Sequence, residues 1–170
     1  MAKMTPSEFV KAYYSYAKQT EEKTGIDARF TLAQAALETG WGKSAPGNMF
    51  FGVKASKDTP ADQKQLITTR EVLKSPNVRF PEVISVTPRS DGRYDYRVKD
   101  WFRKYDTPEG SFTDHTQFFF KNKRYAKALE FKMDPYKFAE EIAKAGYATD
   151  PNYATSLKAV IRTIEKHIEK

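Results

Sequence analysis

The chain has 170 residues, a formal net charge of +7 and no cysteine. Hydrophobic residues make up 39% and aromatic residues 14%, too much for a disordered chain, and we expect one domain over residues 1–170. The absence of cysteine excludes disulfides and thiolate metal sites, and His115 and His167 are not paired at metal-ligand spacing. We therefore expect no metal and no cofactor.

The positive charge favours an acidic partner, such as nucleic acid, an anionic membrane or an acidic polysaccharide. The basic residues are scattered, however, and the densest group, KNKRYAK at 121–127, is short and matches no nucleic-acid motif. We therefore expect no nucleic-acid partner. No apolar run approaches the length of a membrane span. The start of the chain lacks the apolar core of a secretion signal, so we expect any export to use another route or a removed segment.

Two helices are predicted at the start of the chain. Residues 5–8, Thr-Pro-Ser-Glu, form a capping box with proline at the first helical position, and Gly25 is the expected end of this helix. The second helix runs from about residue 27 to 39 and ends at Gly40. The segment 45–63 is rich in Pro, Gly, Asp and Lys, which is typical of a long loop.

The middle of the chain has the two-residue periodicity of β-strands. The first predicted strand is QLITTREVL at 65–73. EVISVT at 82–87 and RYDYRVKDWFRKY at 93–105 then flank Asp91-Gly92, a strong hairpin signal. The inward positions of the last strand are predicted to be Tyr94, Tyr96 and Val98.

The rest of the chain is predicted to be helical. Proline marks three helix starts, at Thr107-Pro108, Asp134-Pro135 and Asp150-Pro151, and KRYAKALEF at 123–131 forms a short helix. The last helix carries an apolar stripe of Leu157, Val160, Ile161, Ile164 and Ile168. Helices around an antiparallel hairpin region, about residues 64–105, predict an α+β fold.

One carboxylate, Glu38, lies at the end of the almost wholly apolar run LAQAALETGWGKS. Thr31, Gln34 and Glu38 share one helix face, and a solvated polar face is the ordinary interpretation of such a stripe. The other faces are apolar, however, so we expect an enclosed helix. Desolvation and the negative end of the helix dipole would both raise the pKa of Glu38, as a general acid near neutral pH requires.

The segment LAQAALETGWGKSAPGNMFFGVKA, residues 32–55, resembles the signature of the bacterial glucosaminidase domain, glycoside hydrolase family 73. The resemblance continues in LITTREV, WFRKYDTPEGSFTDHTQFF, RYAKAL and AGYATDPNYATSLKAVI, and so covers about residues 6–165. It implies a lysozyme-like fold, with a mostly helical lobe and a small antiparallel lobe flanking a cleft. It also implies hydrolysis of the β-1,4 bond between N-acetylglucosamine and N-acetylmuramic acid in peptidoglycan.

The resemblance also implies roles for individual residues. Glu38 matches the catalytic glutamate, which protonates the leaving oxygen. Glu71, in TTREV, matches a second acidic position, although an acid on a strand face is more often a surface residue. Most glycosidases use a second carboxylate to activate water or to stabilise the oxocarbenium-like centre, and the sequence does not give the separation that distinguishes these roles.

Five further residues are candidates for substrate binding. Tyr147 matches a tyrosine near the cleaved bond, although capping of the core is an equal alternative on chemistry alone. Phe51 and Gly52 match the Phe-Gly pair of the family's loop beside the acid, and Asn48 matches an asparagine of the same loop. Trp41 could stack on a sugar ring, but between two glycines at a helix end we favour packing.

Asp114-His115 matches an Asp-His pair of the family. We interpret it as a structural hydrogen-bonded pair, because it lies in a helix with several phenylalanines. A general-base role for His115 is the weaker alternative.

Three other functions compete with an endo-acting glucosaminidase. A lytic transglycosylase would use the same glutamate and form an anhydro product, and a muramidase would act on the same polymer. A catalytically silent wall-binding module would be expected to lose Glu38. We expect a monomer that acts on peptidoglycan strands at the bacterial cell wall.

Overall fold

Caps encoded in the sequence begin and end the first two helices. In the computed structural model, which describes residues 3–168, helix α1 spans Pro6–Thr24 and helix α2 spans Ala28–Thr39. Both bonds of the predicted capping box are present: Thr5 N donates to the Glu8 carboxylate over 2.9 Å, and Glu8 N donates to Thr5 Oγ1 over 3.1 Å. The side chain of Asp27 caps α2. Each helix ends at a left-handed glycine, Gly25 or Gly40.

Four further helices lie in the C-terminal part of the described chain. They are α3 (Pro108–Lys121), α4 (Ala126–Leu129), α5 (Pro135–Lys144) and α6 (Tyr153–Ile168). The predicted start of the last helix at Asp150-Pro151 is wrong by two residues. Asp150 instead forms a turn, in which its side chain accepts from Asn152 N and its carbonyl accepts from Tyr153 N.

Three antiparallel strands form one sheet. They are β1 (Lys64–Leu73), β2 (Glu82–Pro88) and β3 (Tyr94–Arg103), in the spatial order β1-β3-β2. Gly92 has a φ of 84° in the β2–β3 turn, as the Asp-Gly signal predicts. Tyr96 and Val98 are buried, as predicted from the alternation. The predicted loop before the sheet includes two short 3₁₀ helices, Pro46–Asn48 and Ala61–Gln63.

The chain divides into two compact units. One comprises the residues up to Phe51 and those from Tyr105 onward, and it contains the α-helices. Its core includes an aromatic cluster in which the fully buried Phe30 contacts Phe138 and Phe119, with ring centroids 4.5 and 6.0 Å away. The other unit, Gly52–Lys104, contains the sheet. The predicted α+β class is confirmed.

Candidate active site

The end of α2 is shaped by three consecutive left-handed residues. Gly40, Trp41 and Gly42 have φ values of 60°, 57° and 82°. Glycine adopts this conformation without steric cost, whereas a tryptophan there is strained. The turn is held because Gly42 N donates to Thr39 Oγ1 over 2.8 Å and Trp41 N donates to Ala36 O over 2.8 Å. The Gly-Trp-Gly sequence therefore stops the helix directly after the turn that carries Glu38.

Glu38 combines solvent access with a perturbed carboxyl group. Nine of the twelve residues of α2 are buried, which confirms the predicted enclosed helix, but Glu38 itself is exposed. The enclosure does not extend to Leu37 and Glu38 in the last turn of the helix, which are both exposed. Protein atoms around the carboxyl nevertheless raise its pKa through desolvation. Among residues 3–168, it has no hydrogen-bond or ion-pair partner.

A hydrogen-bonded network lies on the same helix face, one turn before Glu38. The fully buried Gln34 donates through Nε2 to Tyr153 Oη over 2.9 Å. Its Oε1 lies 3.2 Å from His115 Nε2, which is also 3.2 Å from Tyr147 Oη. Because an amide oxygen only accepts, Nε2 of His115 carries the hydrogen. The Tyr147 hydroxyl therefore keeps its own proton for another partner.

The network is neutral at physiological pH. Desolvation lowers the pKa of His115 to about 4, against a smaller opposing effect of Asp114. Desolvation also raises the pKa of Tyr153 to about 12 and raises that of Tyr147, and the nearby charge of Glu38 adds to both shifts. The imidazole is therefore uncharged at neutral pH, it lies within hydrogen-bond distance of the Tyr147 hydroxyl, and its lowered pKa makes it a weak base.

Aromatic rings fix the imidazole in place. Phe51 stacks on His115 with ring centroids 3.8 Å apart and an interplanar angle of 10°. Phe118, which is 37% exposed, lies parallel to the same imidazole at 6.4 Å and approaches the Tyr147 ring edge-on at 6.2 Å. Asp114 accepts from Tyr105 over 2.5 Å. The hydrogen bond between Asp114 and His115 stays a prediction.

The remaining predicted residues of this unit have structural contacts. Trp41 packs edge-on against Phe9 at 5.5 Å, as favoured from the sequence. Asn48, at a φ of 58°, donates through Nδ2 to Tyr105 O over 2.9 Å and so braces the loop. Phe51 is 5% exposed and forms part of the wall beneath the network. These contacts support indirect roles in shaping a binding site.

Glu71 and Gly52 belong to the sheet-containing unit. Glu71 lies on β1 with its side chain 23% exposed, and it accepts from Lys54 Nζ over 2.7 Å. Lys54 also pairs with Asp100 at 3.2 Å, so one cation serves two carboxylates. Gly52 is exposed and begins this unit. Within residues 3–168, no group of three or more His, Asp or Glu side chains could hold a metal ion.

Sequence reasoning missed the partnership of Gln34, His115 and Tyr147, and it missed Phe118. Gln34 and His115 are 81 positions apart, and His115 and Tyr147 are 32 apart. The available signals were a glutamine one turn before the acid and a histidine in a helix rich in phenylalanine. Neither signal identifies its partner.

Comparison with known families gives one match over nearly the whole chain. The glucosaminidase family, described as mannosyl-glycoprotein endo-beta-N-acetylglucosaminidase, matches residues 14–166. Peptidoglycan hydrolase FlgJ of Pseudomonas aeruginosa is 31% identical over 167 residues, which are 94% of this chain and 37% of that protein. Exo-glucosaminidase LytG of Bacillus subtilis is 32% identical over 162 residues, 90% of this chain and 49% of that protein. The chain thus spans less than half the length of these relatives.

Solved structures agree with the fold. The C-terminally truncated glycoside hydrolase domain of Salmonella typhimurium FlgJ has a TM-score of 0.69 at 28% identity, covering 95% of this chain and 99% of that one. The catalytic domain of the Listeria monocytogenes autolysin Auto has a TM-score of 0.68 at 20% identity, covering 100% and 90%, and its similarity concerns the fold alone. The predicted lysozyme-like α+β fold is confirmed.

Proposed function

Because the chain belongs to the glucosaminidase family of glycoside hydrolases, we propose that it cleaves peptidoglycan, at the β-1,4 bond between N-acetylglucosamine and N-acetylmuramic acid. The relatives named as peptidoglycan hydrolases support this substrate. The family description favours endo-acting cleavage, whereas one relative is named an exo-enzyme. The product pattern therefore forms part of the test below.

The observation that carries the proposal is the free carboxyl of Glu38. A general acid must hold a proton near neutral pH and must reach the leaving oxygen. Desolvation raises the pKa of Glu38, and the side chain is open to solvent without a competing partner among the described residues. We assign Glu38 as the proton donor to the oxygen of the cleaved bond.

Tyr147 acts beside the acid in this proposal. Its hydroxyl is oriented by neutral His115 and retains a proton, which suits a hydrogen bond to a polar group of the sugar. Gln34, one turn before Glu38 on the same helix face, bonds to His115 and so links this hydroxyl to the helix that carries the acid. The exposed ring of Phe118 offers an apolar surface next to this hydroxyl. We propose that Asn48, Phe51 and Trp41 contribute by shaping the loop and its support.

We propose that Glu71 is an auxiliary catalytic carboxylate. Lys54 holds the Glu71 carboxylate in place over 2.7 Å, and a carboxylate at this position suits stabilisation of positive charge or orientation of the 2-acetamido group. We propose that Gly52 leaves room in the backbone for the glycan. A lytic transglycosylase would use the same acid, Glu38, but would not activate a water molecule. The presence of a second carboxylate, Glu71, favours hydrolysis over that alternative.

The proposed substrate indicates where the protein acts. We propose that the two units act together as one domain and as a monomer at the bacterial cell wall. Among the helices of residues 3–168, none is long and apolar enough to cross a membrane.

The test is mass spectrometry of digested peptidoglycan with Glu38→Gln and a matched control, Glu22→Gln, which changes an exposed glutamate of α1. We expect reducing N-acetylglucosamine ends from the wild-type protein. Loss of the general acid should lower turnover by ~100-fold or more. Muramic or anhydro ends would instead identify a muramidase or a lytic transglycosylase.

Folding is checked by circular dichroism. We expect Glu38→Gln to unfold at an equal or higher temperature, because the amide removes a partly desolvated charge. Near wild-type turnover in a folded Glu38→Gln protein would remove Glu38 from its assigned role, and the Glu22→Gln control should behave as wild type.

A further inference from the structure

The positive charge is concentrated in the smaller unit. Residues 52–104 contain 12 Lys and Arg against 7 Asp and Glu, a net charge of +5 out of the +7 of the whole chain. The remaining residues, although more than twice as numerous, contribute only +2. An anionic partner attracted by this protein would therefore be attracted mainly by the sheet-containing unit.

One face of the sheet is buried in part, and the other is exposed. On one face, Tyr96 and Val98 are buried, and a loop of the same unit packs on Tyr96, whose ring lies 5.7 Å from the Phe80 ring. Glu71 pairs in register with Tyr96 and so shares this covered face. The opposite face is left open by the described residues of the unit. Its members are Lys64, Leu66, Thr68, Arg70 and Val72 of β1, Glu82, Ser85 and Thr87 of β2, and Asp95, Arg97, Lys99, Trp101 and Arg103 of β3.

A concavity of about 450 Å³ marks this open face. It contains none of the predicted catalytic residues. Among its lining residues, Arg97 is exposed and has no ion-pair partner within residues 3–168. Hydroxyl groups surround that guanidinium. The lining comprises Thr68, Thr69, Arg70, Ser85, Thr87, Asp95, Tyr96 and Arg97.

The one carboxylate of the concavity is already neutralised. Asp95 accepts from Arg70 over 2.5 and 2.8 Å and lies 3.6 Å from Arg89. These arginines lower the pKa of Asp95. The concavity therefore presents net positive charge with hydroxyl donors around it, a combination that suits carboxylate groups.

An apolar platform continues the open face along β3. Trp101 is 38% exposed and pairs in register with Leu66, which is 41% exposed. The Lys64 ammonium lies 4.8 Å from the centre of the Trp101 ring. Arg97 and Trp101 are four residues apart on one face, about 13 Å along the strand. An extended polymer with both charged and apolar groups can contact both.

We propose that this open sheet face is a second, non-catalytic binding surface for the carboxylate-bearing peptide chains of peptidoglycan. The proposal rests on the proposed function for the choice of polymer, while its charge and geometry are independent of Glu38. Since Glu71 lies on the opposite face of the same sheet, wall binding by the open face and catalysis use different surfaces of the unit.

The experiment compares two double variants of equal net charge in a Glu38→Gln background. Arg97→Gln with Lys99→Gln removes two cations from the open face. Lys57→Gln with Arg79→Gln removes one exposed lysine and one exposed arginine from loops of the same unit, outside the strands. Each protein is pelleted with purified walls over a salt series. We expect the first pair to weaken binding by about 5- to 30-fold, as loss of two exposed charge contacts predicts. The second pair should have little effect.

Four outcomes would overturn the proposal. Equal weakening by both pairs would mean that net charge alone attracts the wall, and no weakening by either would exclude the face. Unchanged binding to walls whose carboxylates have been converted to amides would exclude the proposed ligand. Anionic lipid vesicles serve as a further probe, and a selective loss of vesicle binding without a loss of wall binding would assign the face to membranes instead.

Activity separates this proposal from the proposed function. With Glu38 intact, Arg97→Gln with Lys99→Gln should cleave peptide-free glycan strands at the wild-type rate. Absence of cleavage by the wild-type protein would defeat the proposed function, whereas the pelleting result would still decide whether the face binds carboxylates.

Discussion

His115 should make the stability of this protein sensitive to mild acid. Its pKa is about 4 in the folded protein because of desolvation, against an ordinary value near 6.5 in an unfolded chain. The unfolded chain therefore binds more protons between these two values. Stability is fully present above pH 6.5 and is lost as the pH falls toward 4.

The magnitude follows from proton linkage. Between pH 7 and 4.5, a shift of this size lowers the free energy of unfolding by about 2 kcal/mol, which is a substantial part of the roughly 5–15 kcal/mol of a typical domain. Carboxylates with lowered pKa values, such as Asp91 and Asp95, also stabilise the folded protein when ionised. This stabilisation is lost in acid, but mainly below this pH interval.

The measurement is urea unfolding, followed by circular dichroism, at several pH values from 7 to 4.5. In His115→Gln we expect a less stable protein at pH 7, since the stacking on Phe51 and the contact with Tyr147 are altered. Its stability should, however, fall by about 2 kcal/mol less over the interval. His167→Gln serves as the control for the other histidine. The same pH dependence in His115→Gln and the wild type would refute this reasoning.

Two further predictions concern catalysis. Tyr147→Phe removes the hydroxyl that His115 orients, and we expect turnover on peptidoglycan to fall by about 100-fold with the fold retained; a loss of stability at unchanged turnover would assign the hydroxyl a structural role. Glu71→Gln should be strongly impaired, by about 10- to 100-fold, yet remain measurably active, while Lys54→Met shows the effect of breaking the same ion pair with the carboxylate kept. Wild-type turnover in Glu71→Gln would exclude a catalytic role for it.

Much of the secondary structure is predictable from short stretches of sequence. The capping box at Thr5, the left-handed glycine at Gly40 and the Asp91-Gly92 turn act through neighbouring backbone groups, so their consequences lie within a few residues. The alternation in β3 likewise indicates its buried face without knowledge of its partners. Glu38 was identifiable for a related reason: a carboxylate in an apolar helix end is unusual in any fold.

Tertiary structure determined the features that depend on distant contacts. In the strand order β1-β3-β2, the last strand lies in the middle of the sheet, between β1 and β2. No local sequence pattern specifies which strand takes the central position. The exposure of Glu38 depends on where packing against α2 stops. The contacts of His115 with Gln34 and Tyr147 join α2, α3 and the segment after α5. Buried polar groups need hydrogen-bond partners, and the packing of the helices determines which partners are close enough.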